Sequence, residues 1–261
     1  MMGYKLSLFL VAMMVSTWGS AEMLKEEIHL SETERYLAYL PQGYKSDTNR
    51  QWPVMLFLHG SGERGTSLRR VTMLGLPAEI ERGKELPFIV IAPQLDFRTA
   101  EHWHNPTLDK ILQDAEKRFR TDPKRRYITG MSMGGFGTIA MTQQYPERFA
   151  AALAIAGSNI FDFVDESMAG PICRPAQVPT WLVHGTEDGI VSYDSTKRYF
   201  EKRQACQPRA EVKLEALPVS HDAWSATYQK DDFWQWLLKY QLAEVTDKAD
   251  LKNSKEPKDT V

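Results

Sequence analysis

Tyr127-Ile128-Thr129-Gly130-Met131-Ser132-Met133-Gly134-Gly135 is the stretch whose reading decides the fold of this chain. Its first three side chains favour a strand, Gly-x-Ser-x-Gly follows at once, and a helical run continues to Tyr145. A strand that breaks directly into a helix puts one residue on a sharp turn, where bulky neighbours would strike adjoining backbone. Gly130 and Gly134 on either side of Ser132 meet that requirement. The Ser132 hydroxyl then stands above the sheet at a helix N-terminus, whose partial positive charge favours a developing anion. Ser132 is the candidate nucleophile.

Outward from this turn, short apolar runs alternate with longer amphipathic ones. That pattern predicts an α/β fold, a mostly parallel twisted sheet with helices on both faces. Strands are expected at 36–40, 53–58, 88–92, 127–129, 149–155 and 179–183, several of them apolar at every position as doubly covered strands must be. The alternating stretch 212–217 is expected nearer an edge. Leu108, Ile111, Leu112, Ala115 and Phe119 recur at helical spacing. Further helices are expected over 134–145, 193–205 and 231–242, the last with Phe233, Trp234, Trp236, Leu237 and Tyr240 packed on the core.

A serine hydroxyl is a weak nucleophile until a base takes its proton. Two histidines follow Ser132 in the chain, His184 and His221. His221 comes after strand 212–217 through Pro218-Val219-Ser220 and projects from the same strand-end face as Ser132, so it is the expected base. His184 ends a strand before Gly185, where holding the turn is its natural role. Asp188 lies between the two in the order serine, acid, histidine and follows strand 179–183, which brings its carboxylate to His221. Glu187 and Asp194 are the rival carboxylates, Asp194 with a helix cap as its other use. The glycines of Leu58-His59-Gly60-Ser61-Gly62-Glu63-Arg64-Gly65 let backbone N–H groups approach a substrate, and the amides of Ser61 and Met133 are the candidate oxyanion donors. Glu63 and Arg64 are expected to fix this loop as an ion pair.

Four motifs, His59 to Gly65, Gly130 to Gly135, His184-Gly185-Thr186-Glu187-Asp188 and His221-Asp222-Ala223-Trp224, together resemble the exported serine esterases of the α/β-hydrolase superfamily. The likeness runs from about Tyr36 to Leu242 and is nearest the group known as predicted peptidases, phospholipase/carboxylesterase-like or polyhydroxybutyrate-depolymerase-like hydrolases. It departs at Ser192, where many relatives have proline, and after Leu242. The resemblance implies an α/β-hydrolase fold and cleavage of carboxylic esters through an acyl-enzyme. Many relatives insert a lid between the strands placed at 149–155 and 179–183. Here only about twenty residues, 157–177, are available, and Pro171 and Pro175 limit the helix they can form. The expected cleft is open enough for bulky or polymer-linked esters, with Trp103 and Trp224 as lining candidates if they are not simply buried. A serine peptidase and a non-catalytic binding protein on the same fold are the alternative readings.

The ends of the chain set its organisation. Lys5 precedes an apolar run from Leu6 to Trp18 and then Gly19-Ser20-Ala21, which predicts a signal peptide over 1–21. The run is short of the roughly 20 apolar residues a membrane span needs, and Glu22 in place of cysteine disfavours a lipid anchor. A secreted or periplasmic domain over 22–244 and a disordered charged tail over 245–261 are expected, with no stable membrane insertion after cleavage. In an oxidising compartment Cys173 and Cys206 are expected to bridge a loop of roughly 30 residues, the alternative being two unlinked buried thiols. The formal net charge of −2 gives no nucleic-acid footprint. No cofactor is called for, and no metal, since the cysteines and histidines lack ligand spacing.

Overall fold

The computed structural model describes residues 24–158, 172–175, 177–208 and 210–243. The expected leader, 1–21, and tail, 245–261, lie outside them, as does most of 157–177. Among the described residues eight strands occur: β1 (Leu24–His29), β2 (Arg35–Leu40), β3 (Trp52–Leu58), β4 (Ile89–Gln94), β5 (Thr121–Met131), β6 (Ala151–Ile155), β7 (Thr180–Gly185) and β8 (Val212–Leu217). They form one sheet in the order β1-β2-β4-β3-β5-β6-β7-β8. β1, β2 and β4 pair antiparallel, and every pair from β4 to β8 is parallel.

The apolar strands are apolar because both faces are covered. Met55 and Phe57 of β3 point into one core cluster, while Val54, Leu56 and Leu58 point into the other. Leu37 and Tyr39 of β2 part from Tyr36, Ala38 and Leu40 in the same way. Helices α1 (Gly75–Glu81), α5 (Trp224–Gln229) and α6 (Asp232–Leu237) cover the first face. On the second, α2 (Asn105–Arg118) buries Leu108, Ile111, Leu112 and Ala115, and α3 (Met133–Gln144) and α4 (Tyr193–Ala205) lie beside it. Each large aliphatic side chain so buried contributes about 1.5–3 kcal/mol.

Three expectations need correcting. β1 was not anticipated, because Lys25, Glu26 and Glu27 are exposed and break the apolar pattern, as suits an edge strand that must not recruit another chain. β5 begins at Thr121 rather than 127, joining β3 across a register irregularity between Trp52 and Val54. The helix expected over 231–242 ends at Leu237, with α5 as a separate helix before it. After Leu237 the chain bonds back to β5: the Tyr127 hydroxyl donates to the Tyr240 carbonyl at 2.8 Å and the Leu242 N–H to Lys124 O at 2.8 Å. β8 is an edge strand, as its alternation implied. A disulfide joins Cys173 to Cys206, with Cα atoms 5.4 Å apart, and ties the lead-in to β7 to the end of α4.

Candidate active site

Ser132 stands between β5 and α3 with φ 53° and ψ −122°, a conformation L-residues adopt only when their surroundings impose it. The surroundings are the two glycines. A Cβ on Gly134 would lie 1.9 Å from the Leu58 carbonyl oxygen, and one on Gly130 would lie 2.2 Å from the carbonyl oxygen of Gly134. The Ser132 N–H donates to Ile155 O at 2.9 Å, and Phe136 N–H donates to Ser132 O at 3.1 Å. The sharp turn is thus held from β6 and from its own helix.

His221 and Asp188 arrive on loops that are bonded to each other. The N–H groups of Thr186 and Glu187 donate to the carbonyls of Leu217 and Val219 at 2.8 and 3.0 Å, which brings the end of β7 against the end of β8. His221 Nε2 then lies 2.9 Å from Ser132 Oγ, and His221 Nδ1 lies 2.7 Å from Asp188 Oδ2. The edge of the buried Trp224 indole meets the imidazole at a centroid distance of 5.1 Å. The Asp188 side chain is fully buried. Burial alone would raise its pKa, but the bond from His221 and the amides of Val191 and Ile190 outweigh that and hold it below the ordinary carboxylate value. Glu187 and Asp194 are both exposed.

His184 does more than hold a turn. It is completely buried, its Nε2 lies 3.1 Å from the same Asp188 oxygen that serves His221, and its Nδ1 lies 2.7 Å from Thr196 Oγ1 on α4. The four-residue spacing of His184 and Asp188 was the available signal for that contact. Nothing in the sequence pointed to Thr196.

The loop after β3 contains a short 3₁₀ turn, Ser61–Glu63, and abuts the nucleophile turn: a Cβ on Gly60 would come within 3.7 Å of Ser132 Cβ. His59, buried at its start, donates from Nδ1 to Gly60 O at 2.6 Å and accepts at Nε2 from Leu95 N–H at 3.0 Å. Burial lowers its pKa to about 4. The expected Glu63–Arg64 ion pair gives way to another arrangement. Arg64 donates to the Ser61 and Glu101 carbonyls, while Glu63 is buried and burial raises its pKa. Arg70 and Gln94 bind further carbonyls of the loop, Gly62 O at 2.7 Å and Glu63 O at 3.0 Å. Ser61 opens the 3₁₀ turn, and Met133 opens α3, where its N–H has no acceptor within the helix.

Trp103 leans on this loop. Its Nε1 donates to His59 O at 3.3 Å, and it lines a cavity of about 420 Å³ bounded also by Thr33, Glu34, Gln94, Asp96 and His104. Trp224 is packed in the core beside His221, so of the two lining candidates one braces the loop and the other braces the imidazole. Among the described residues no three His, Cys, Asp or Glu side chains gather as a metal site, and no helix is long and apolar enough to cross a membrane.

Sheet order, strand-end turn and the convergence of loops around Ser132 are those of the α/β-hydrolase fold, and comparison with known proteins agrees. The chain belongs to the family described as "Putative esterase", whose model matches residues 30–234. A solved thermostable esterase is 25% identical, with a TM-score of 0.66 over 84% of this chain and 63% of that one. A bifunctional acetylxylan esterase/xylanase of Neocallimastix patriciarum is 29% identical over 109 residues, 41% of this chain and 15% of that protein. An endo-1,4-beta-xylanase/feruloyl esterase of Xylanibacter ruminicola is 34% identical over 128 residues, 42% of this chain and 18% of that protein. The chain therefore spans less than a fifth of the length of these two relatives.

Proposed function

We propose that this protein hydrolyses carboxylic esters through an acyl-enzyme, with Ser132 as nucleophile, His221 as general base and Asp188 as the supporting acid. The observation that carries the reading is the unbroken hydrogen-bonded series from Ser132 Oγ through His221 to Asp188, at 2.9 and 2.7 Å. His221 Nε2 takes the hydroxyl proton as Oγ bonds to the ester carbonyl carbon, and the carbonyl π electrons move onto oxygen. The amides of Ser61 and Met133 receive that oxyanion, each donor contributing about 3 kcal/mol to the barrier reduction. The tetrahedral intermediate collapses as His221 protonates the departing alkoxide. Water, deprotonated by the same imidazole, then releases the acid and restores Ser132. Asp188 keeps the imidazole in the Nδ1–H tautomer and stabilises the imidazolium that forms at each step.

The substrate class we infer is an ester carried on a bulky or polymeric alcohol, a reading supported by the relatives whose names join an acetylxylan or feruloyl esterase to a xylanase. Secretion or residence in the periplasm, with a leader over 1–21 and the catalytic domain over 22–244, is proposed with it. The Cys173–Cys206 bridge supports an oxidising compartment.

The test is covalent labelling with a fluorophosphonate alongside a panel of chromogenic, acetyl-polysaccharide and feruloyl esters. Ser132→Ala is expected to lose the label and at least about 10⁴-fold in ester turnover. Undiminished labelling or turnover in that variant would remove Ser132 from the reaction. Turnover of peptide amides in preference to every ester would replace the substrate class.

A further inference from the structure

Asp188 carries two histidines on one oxygen. Oδ2 takes His221 Nδ1 at 2.7 Å and lies 3.1 Å from His184 Nε2, while Oδ1 accepts the amides of Ile190 and Val191 at 2.8 and 2.9 Å. His184 Nε2 faces acceptors only, since its other neighbour is the Val191 carbonyl at 3.0 Å. That nitrogen therefore carries a hydrogen. At the far side of the ring, Thr196 Oγ1 stands 2.7 Å from Nδ1 and 2.8 Å from the Gly157 carbonyl, with one hydroxyl proton for two acceptors. An imidazolium would release that proton to Gly157, and a neutral ring would draw it to Nδ1. Complete burial favours the neutral ring, with Nε2–H fixed by the two acceptors it faces, Asp188 Oδ2 and the Val191 carbonyl. The groups that face this imidazole are Asp188 and, beyond it, His221 on the loop side, with Tyr193 and Thr196 of α4 on the other.

We propose that His184 is a positioning residue for the reaction: it shares Asp188 Oδ2 with His221 and fixes the carboxylate's orientation, and through it the orientation of the imidazole that faces Ser132. Thr196 is the far anchor of the series Thr196, His184, Asp188, His221, Ser132. The inference rests on the roles proposed above for the last three.

Two neutral amides separate this from simple filling of a polar pocket. His184→Gln sets a donor near the former Nε2, within reach of Asp188, whereas His184→Asn sets its amide near the former Nδ1, within reach of Thr196 alone. The readouts are kcat/KM, the low-field proton resonance of the Asp188–His221 bond, and thermal stability. The Gln variant is expected to stay within about threefold of the parent with its resonance in place. The Asn variant is expected to lose about 10- to 100-fold in kcat/KM, with the resonance displaced and thermal stability near the parent's. Should the Asn variant fail to fold, His184→Leu, which removes both ring nitrogens, is expected to displace the resonance the same way. Parental rates and resonance in both amides, or equal losses that follow stability alone, would overturn the proposal. The resonance needs no substrate, so it tests His184 even if the parent protein takes no fluorophosphonate label, a result that would fall on the ester-hydrolase reading instead.

Discussion

The loop after β3 and the loops after β7 and β8 reach Ser132 from opposite sides, and they are held by different kinds of bond. On the β3 side His59, Arg64, Arg70 and Gln94 all direct donors at main-chain carbonyls, so what is fixed is the backbone. On the β7–β8 side Thr196, His184, Asp188, His221 and Ser132 bond side chain to side chain. Each suits the task proposed for it. An oxyanion is received by main-chain N–H groups, which must already be in place when charge develops. A proton is moved between side chains, whose tautomers must be dictated in turn.

If that division is real, altering one atom on the side-chain route changes chemistry while leaving the fold intact. Asp188→Asn keeps the shape and can still accept the Ile190 and Val191 amides, but it places a neutral amide where two imidazoles meet an acceptor. A loss of about 10³- to 10⁴-fold in turnover is expected, with an unfolding midpoint close to the parent's. Steady-state kinetics and thermal denaturation of the same preparation check both halves. An unaltered rate would pass the acid role to Glu187 or Asp194 and dissolve the contrast.

The two sides are also fastened differently. Cys173–Cys206 closes a loop with a sequence separation of 33 and anchors α4, which presents Thr196 and Tyr193 to His184. The chain-entropy treatment values such a link at about 3 to 4 kcal/mol. Replacing both cysteines with serine is expected to lower the urea unfolding free energy by about that much, with little change in kcat for the molecules still folded. A stability indifferent to the replacement would mean that α4 is held by packing alone.

How far the sequence foretold this arrangement follows the same division. The meeting of Ser132, Asp188 and His221 was readable because strand-end position, chain order and flanking glycines are local signals, and the paired cysteines were readable from their number. The sheet's interior strands were readable because double coverage leaves unbroken apolar runs. Contacts that depend on a distant element were not. Thr196 meets His184 only because α4 packs behind β7, and Trp103 meets His59 only because the segment before α2 folds over the β3 loop. Arg64 was misjudged for the same reason, since Glu101, which supplies one of its carbonyls, is 37 residues away. β1, with its exposed charges, offered no periodic signal at all.

The smallest effect falls on the β3 side and is a matter of stability rather than rate. His59 accepts from Leu95 N–H, so its ring is neutral in the folded chain, and burial holds its pKa at about 4 against an ordinary 6.5. Below the ordinary value the unfolded chain binds a proton that the folded chain refuses. The stabilisation from His59 is therefore fully present above about pH 6.5, falls away as pH drops towards 4, and amounts to about 3 kcal/mol in total. Asp96 acts in a lower window, because the bond from Arg98 holds its pKa at about 2, so its contribution is lost only as pH falls below the ordinary carboxylate value. Urea unfolding between pH 7.5 and 4.5 is expected to show a slope that flattens in His59→Gln, whose amide oxygen can still accept from Leu95 but does not titrate. The raised pKa of Glu63 opposes the slope in both proteins and so cancels in the difference. A parental slope in the Gln variant would show that the titrating group lies elsewhere, and the β3 loop would lose the neutral imidazole on which its backbone geometry is argued to depend.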